Sequence, residues 1–291
     1  MWTKEECDEV LNKLIDLPDN KKKIFFYLYG GEPTLSKYWE YIQYRLIDIF
    51  SDRELFIQTQ TNLSLTEARI DTFLRTVNEL KTDQQQIDIC SSYHLDKQSP
   101  EEFIKKMEIC DRYNALGLCF FSTEIGKEDQ FIEEFNNLTT AYPEKVKLKF
   151  TQIENLTDQR DPTYNALLED DYLRGDDNGE SLEYRYFIRK YPEFRNYLEE
   201  GWNFSVDNET LNYIEVKNQG IYRQFKYMKC HAGRKNLVID HNLKVYRCND
   251  YYYSQIDPIS LSDIDFEEYL GNDTICLSCK CTDGLDHTKY R

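Results

Sequence analysis

From its start to about residue 153, the 291-residue chain alternates segments of strand and helix character, and this alternation restricts its fold more than any other feature. Runs rich in branched and aromatic residues at 24–28, 55–59, 87–90, 118–121 and 146–153 predict five strands. Helical periodicity falls between and before them. Cys7, Val10, Leu11, Leu14 and Ile15 repeat on one face behind Thr3 and Glu6, the two ends of a capping box. Ser64 and Glu67 have the same spacing ahead of Ile70, Phe73, Leu74 and Val77. Ser99 and Pro100 open a further helix with Phe103, Met107 and Cys110 inward, and Phe131, Ile132 and Phe135 mark another. Strands separated by helices require crossover connections, so a parallel α/β sheet or barrel is predicted.

Composition sets the remaining bounds. Hydrophobic residues make up 40% and aromatics 14%, enough to build a core, and the length suits one barrel-sized domain plus an appendage. A formal charge of −17 opposes nonspecific attraction to nucleic-acid phosphates or anionic membranes, so neither is expected as a partner. No stretch approaches the roughly 20 apolar residues of a membrane span, and no apolar core follows Met1 as in a secretion signal. Nine cysteines, an odd number without an export signal, point to thiols and metal ligands in a reducing cytoplasm. Cys7, Cys90, Cys110 and Cys119 fall inside the predicted elements, where a free cysteine packs as a small apolar residue.

The chemistry gathers at the strand ends. The first strand runs into Gly30, Gly31, Glu32 and Pro33, where two glycines let the backbone approach a ligand and the carboxylate offers an acceptor for a ligand ammonium. A tight turn after any parallel strand would have the same composition. The second strand ends in Thr61, Asn62 and Leu63, the third in Ser91, Ser92, Tyr93 and His94. In that order these segments resemble the S-adenosylmethionine-binding motifs of the radical SAM superfamily: Gly-Gly-Glu-Pro, then Thr-Asn-Gly, then Ser-x-His. Leu63 stands where the family has glycine, and His94 has an ordinary structural role as its alternative. The resemblance implies that Gly30, Gly31, Glu32 and Pro33 hold the methionyl group of SAM, and that Asn62, Ser91, Ser92 and His94 line its pocket. It also implies a partial, TIM-like (β/α) barrel with its first strand missing, and ligands at the carboxyl ends of the strands.

The tail resembles a SPASM or shortened "twitch" extension, in which an auxiliary [4Fe-4S] cluster sits beside the barrel. Cys230 precedes two short β-rich runs, 237–240 and 244–247, which form a candidate hairpin; Cys248 follows directly, and Cys276, Cys279 and Cys281 lie near the end. Four thiolates from converging segments suit a cubane cluster, with one of the last three cysteines left over. A tetrahedral zinc site would use the same residues, and the spacing does not separate the two. The expected organisation is a barrel over 1–153, an acidic and tyrosine-rich connection over 154–228, and a cysteine-rich hairpin and metal domain over 229–291. The connection carries Glu169, Asp170, Asp171, Asp176 and Asp177 around segments such as Tyr184, Arg185, Tyr186 and Phe187. It would be solvated helices and loops, or a groove that meets a peptide.

No three cysteines have the Cys-x-x-x-Cys-x-x-Cys spacing that holds the SAM-cleaving cluster in this superfamily. By resemblance, that loop and the first barrel strand would lie upstream of Met1. Truncation and natural loss both account for this, and an apolar first strand left at a sheet edge favours truncation. The implied activity of the intact enzyme is an oxidoreductase type: reductive cleavage of SAM to a 5′-deoxyadenosyl radical, then hydrogen abstraction from a peptide or protein, with an electron donor as further partner. The alternatives are a noncatalytic binding protein of this fold with a structural iron–sulfur or zinc site, and an electron-transfer protein using the tail cluster alone.

Overall fold

A computed structural model describes residues 2–17, 23–28, 31–94, 97–122, 128–149, 203–206, 209–212, 229–230, 237–248, 251–252, 255–270, 274–275 and 289–290. Contacts divide the chain into two compact units, one of residues 22–198 and one of 1–21 with 199–291.

The first unit is built on five parallel strands in sequential order: β1 (Lys23–Leu28), β2 (Glu54–Thr61), β3 (Gln85–Tyr93), β4 (Leu116–Ser122) and β5 (Val146–Lys149). All five strands expected from the sequence are present, the fifth over 146–149, with the rest of its expected span, 150–153, outside the described residues. Successive right-handed crossovers in such an order lay every connecting helix on one face of the sheet. Strand burial alternates to match: Leu55, Ile57, Thr59 and Thr61 of β2 are buried, while Phe56, Gln58 and Gln60 between them are half-exposed. Phe25 on β1, at the edge of the described sheet, is 54% exposed and stacks on Phe56 at 4.6 Å.

Capping chemistry explains most helix starts. In α1 (Lys4–Leu14), the Thr3 hydroxyl accepts from the Glu6 N–H and the Glu6 carboxylate accepts from the Thr3 N–H, completing the predicted box. Ile15, expected on the inner face, is instead 53% exposed, because the helix ends at Leu14 and Ile15 is its C-cap. By its contacts α1 groups with the C-terminal residues, against the turn Leu261–Asp263. The helix α2 (Trp39–Ile49) lacks a side-chain cap at its start, and its carbonyl end is held from β3, where the Gln85 amide donates to the carbonyls of Ile47 and Phe50 at 2.9 and 3.0 Å. The third helix, α3 (Glu67–Leu80), is capped by Thr66 and not by Ser64; the Ser64 N–H is taken by Asn62 Oδ1 at 3.0 Å. Ser99 and Pro100 open α4 (Pro100–Arg112) as expected, and α5 (Glu128–Ala141) buries Phe135 and Leu138.

Cys7, Cys90, Cys110 and Cys119 are all buried and unpaired by disulfide, which is the packing role their positions predict. Burial pushes the Cys110 and Cys119 thiols up to about 12, so both stay protonated and inert at neutral pH. Gly117 makes room for Cys90: a Cβ there would meet Cys90 Sγ at 2.7 Å and the Ile89 carbonyl at 3.0 Å. Gly117→Ala is therefore expected to destabilise the protein by about 1–3 kcal/mol in urea unfolding. Cys90→Ala in the same chain should recover part of that loss, since it removes the nearer of the two clashes.

In the second unit, β6 (Asn203–Val206) and β7 (Glu209–Asn212) form an antiparallel pair in a sheet ordered β12-β8-β13-β6-β7, with β8 at Lys229–Cys230, β12 at Thr274–Ile275 and β13 at Lys289–Tyr290. The predicted hairpin is β9 (Val238–Ile239) with β10 (Lys244–Tyr246), extended by β11 (Ile259–Ser260). Asp240 organises its turn, its Oδ1 accepting from the N–H groups of Asn242 and Lys244 at 2.8 and 2.9 Å. The acidic and tyrosyl residues 169–171, 176–177 and 184–187 lie outside the described residues. Among the described residues, no helix is long and apolar enough to cross a membrane.

Candidate functional site

Parallel strands in sequential order bring their carboxyl ends to one rim of the sheet, and the loops there hold the candidate residues. After β1, Gly31 has φ +56°, a conformation glycine adopts without cost, and among the described residues nothing lies within 4 Å of where its Cβ would be. Gly30 lies outside the described residues. Glu32 follows in extended conformation and caps the short 3-10 turn Pro33–Leu35, with Pro33 at its first position.

The Glu32 carboxylate joins the ends of two strands. Its Oε1 accepts from the Thr34 hydroxyl at 2.5 Å, the Thr61 hydroxyl at 2.6 Å and the Thr34 N–H at 3.2 Å. Its Oε2 accepts from the Asn62 N–H at 2.7 Å. Thr34 and Thr61 are themselves buried, so these charge-assisted bonds form in a sheltered place. Asn62 contributes its backbone to this contact while its side chain folds back onto Ser64.

Leu63 adopts φ +53°, in the left-handed region. Glycine is the residue that enters this region freely, and a leucine there costs roughly 1–2 kcal/mol. Its side chain, 2% exposed, offsets that cost by burial. The backbone thus takes the glycine-like conformation although the residue is leucine.

Ser91 and Ser92 face opposite ways, as successive strand residues must. Ser91 is fully buried beside its cross-strand neighbour Cys119. Ser92 lies on the more exposed side, with its Oγ 3.4 Å from the Gln60 amide nitrogen. Gln60 in turn accepts from the Tyr27 hydroxyl at 2.8 Å. Burial, with a smaller contribution from Cys90, pushes that phenol up to about 12, so Tyr27 remains a donor at neutral pH. His94 closes the loop after β3, its carbonyl accepting from the Lys97 N–H at 3.2 Å.

The structure therefore brings together Glu32, Asn62 and the Gly31 turn, puts Ser92 one strand further along, and buries Ser91 on the other side. Thr34, Thr61 and Gln60 belong to the same network. Thr61 was visible within the quoted motif, whereas Thr34 and Gln60 carried no signal of their own.

In the tail, Cys248 is buried just after β10. Backbone pairing sets Cys230 opposite Thr274, so the strand leading to Cys276 runs beside Cys230. The Cys230 side chain and Cys276, Cys279 and Cys281 lie outside the described residues. Among the described residues, no group of three or more His, Cys, Asp or Glu is placed to hold a metal ion.

No protein-family model matches the chain, and no curated relative does. Among solved structures, one described as native anSMEcpe with bound AdoMet and Kp18Cys peptide is similar at a TM-score of 0.48 and 13% identity, over 90% of this chain and 71% of that one. SuiB of Streptococcus suis is similar at a TM-score of 0.36 and 10% identity, over 92% of this chain and 60% of that one.

Proposed function

We propose that this chain is a radical SAM-type protein that binds S-adenosylmethionine at the β1–β3 strand ends, carries an iron–sulfur cluster in its tail, and serves the modification of a peptide or protein. What supports this is the anchoring of Glu32, the acid of the Gly-Gly-Glu-Pro segment, to Thr61 and Asn62 of the second family-like segment. Two motifs 30 residues apart in sequence meet at one carboxylate. In this reading the five parallel strands are part of a partial barrel, and the functional divisions are 1–153, 154–228 and 229–291.

The residues fit the ligand. Among the described residues Oε2 accepts one hydrogen bond, from Asn62, against three at Oε1, leaving acceptor capacity for a ligand ammonium. The bare Cα of Gly31 keeps the approach clear. Gly30, Pro33, Ser92 and His94 complete the proposed pocket, with Ser91 supporting it from the buried side. Cys230, Cys248 and two of Cys276, Cys279 and Cys281 would hold a [4Fe-4S] cluster; their thiol chemistry also suits zinc. SAM, bound and reduced at a core cluster, supplies a hydrogen-abstracting radical in the superfamily. This sequence has no Cys-x-x-x-Cys-x-x-Cys for that cluster, so the residues here are assigned binding and orientation only. The second reading is a noncatalytic binding protein of this fold with a structural iron–sulfur or zinc site. Buried cysteines outside disulfides suit a reducing cytoplasm, and a reductant would be a partner of the catalytic form.

Calorimetric titration of the purified chain with SAM tests the proposal. Saturable binding that Glu32→Ala abolishes is the expected result. No saturation at about 1 mM ligand, the concentration matching a binding free energy of roughly 4 kcal/mol, would overturn it. Iron, sulfide and zinc analysis after anaerobic reconstitution decides the metal, with four irons per chain expected and a single zinc against the cluster.

A further inference from the structure

Lys106 sits on the inward face of α4 among Phe103, Met107 and Cys110, and is 5% exposed. A buried ammonium is costly, and an apolar residue would fill such a position without that cost. Its charge is directed at the candidate site. Nζ donates to the Leu63 carbonyl at 2.9 Å and to Gln98 Oε1 at 2.8 Å. The Gln98 amide donates to the Asn62 carbonyl at 2.7 Å; the Tyr93 hydroxyl lies 3.0 Å from the Gln98 carbonyl and 2.6 Å from Glu134 Oε2, the stronger acceptor for its single proton. Both carbonyls of the turn that contains the left-handed Leu63 are thus held by one lysine and its glutamine. The same turn presents the Asn62 N–H to Glu32.

We infer that Lys106 and Gln98 form a positioning clamp that holds the strained Asn62–Leu63 turn so that Asn62 orients the Glu32 carboxylate for its cationic ligand. The identity of that ligand as the SAM ammonium rests on the function proposed above, whereas the clamp itself rests on the hydrogen-bond geometry. Strain persists in a folded protein only where surrounding groups over-determine it, and two side-chain hydrogen bonds to two consecutive carbonyls do so here. A lysine retained for packing alone would leave the turn unchanged when replaced by an apolar residue of similar length.

The test compares the full chain with Lys106→Met, Gln98→Leu and the double variant Lys106→Met, Leu63→Gly. Amide exchange at Asn62, referenced to Ile57 in the middle of β2, reads the clamp without any ligand. SAM titration reads its consequence for binding. In Lys106→Met, exchange at Asn62 should rise by about tenfold or more relative to Ile57, and SAM affinity should fall by a similar factor, as for the loss of a hydrogen bond to a charged group. Adding Leu63→Gly should restore part of both, because glycine holds this φ without a clamp. Should Lys106→Met fail to fold, Gln98→Leu removes the other arm and carries the same expectation. Unchanged Asn62 exchange in the folded variants overturns the clamp. Faster exchange with undiminished SAM affinity reduces Lys106 to a structural residue and overturns the positioning role. If the unaltered chain does not bind SAM, the proposed function fails together with the ligand assignment, and the exchange data still decide the clamp.

Discussion

Glu32→Ala should lower the unfolding free energy by about 2–4 kcal/mol in urea titration at neutral pH. The substitution leaves the hydroxyls of Thr34 and Thr61 and the N–H of Asn62 without their shared acceptor. Thr34 and Thr61 are 1% and 3% exposed, so water replaces the lost carboxylate poorly at those two groups. Asn62, on the loop, turns to solvent more easily, which keeps the expected loss below a full sum over the bonds. Glu32→Gln should cost about half as much. Its carbonyl oxygen can serve the two hydroxyls, but its amide then presents a donor to the Asn62 N–H. A loss of less than about 1 kcal/mol for the alanine variant would show that water enters the site and that the carboxylate does not tie β1 to β2.

That network also shows which parts of the molecule could be seen in the sequence. All five strands of the sheet were legible, because branched and aromatic runs bounded by polar turns have few other outcomes. The capping box of α1 and the Ser99-Pro100 start of α4 were legible for a similar reason: capping is local chemistry at fixed offsets. Helix α2 was not, since Tyr38 makes no side-chain cap and the buried stripe of Trp39, Gln43, Leu46 and Ile47 is interrupted by an amide. Ser64 suggested a cap that Thr66 provides, because the helix begins at Glu67 and Thr66 is the residue directly before it, with its hydroxyl accepting from the Arg69 N–H. Glu32 and Asn62 were found as motif members, but their hydrogen bond spans the crossover through α2 and no spacing rule reports it. Ser91 and Ser92 were grouped, although strand alternation separates them. Lys106 gave no signal because a lysine on a helix is ordinarily solvated. Its role depends on the left-handed turn at Leu63, which the leucine itself conceals.

The second large effect is expected away from the rim, at Phe121→Ala. Phe121 is fully buried where β3, β4 and α5 meet, with its ring 4.7 Å from Tyr93 and 5.6 Å from Phe135; Tyr93 in turn lies edge-on to Phe103 of α4 at 4.9 Å. Truncation removes one of the rings that join two helices to the sheet, leaving a cavity among residues that relax only partly. The expected loss is about 3–5 kcal/mol, a large share of a typical domain's total stability. Phe25→Ala on β1 provides the contrast, since that ring is more than half exposed and stacks on Phe56, and it should cost less than about 1 kcal/mol. Unfolding followed at equilibrium for both variants separates the two environments. If Phe121→Ala cost no more than Phe25→Ala, the aromatic cluster could not be what holds β3, β4 and α5 together. The orientation of Tyr93, whose hydroxyl sits between Glu134 Oε2 and the Gln98 carbonyl, would then need another source. With the expected difference, the cluster both stabilises the sheet and fixes the base on which the Gln98–Lys106 clamp stands.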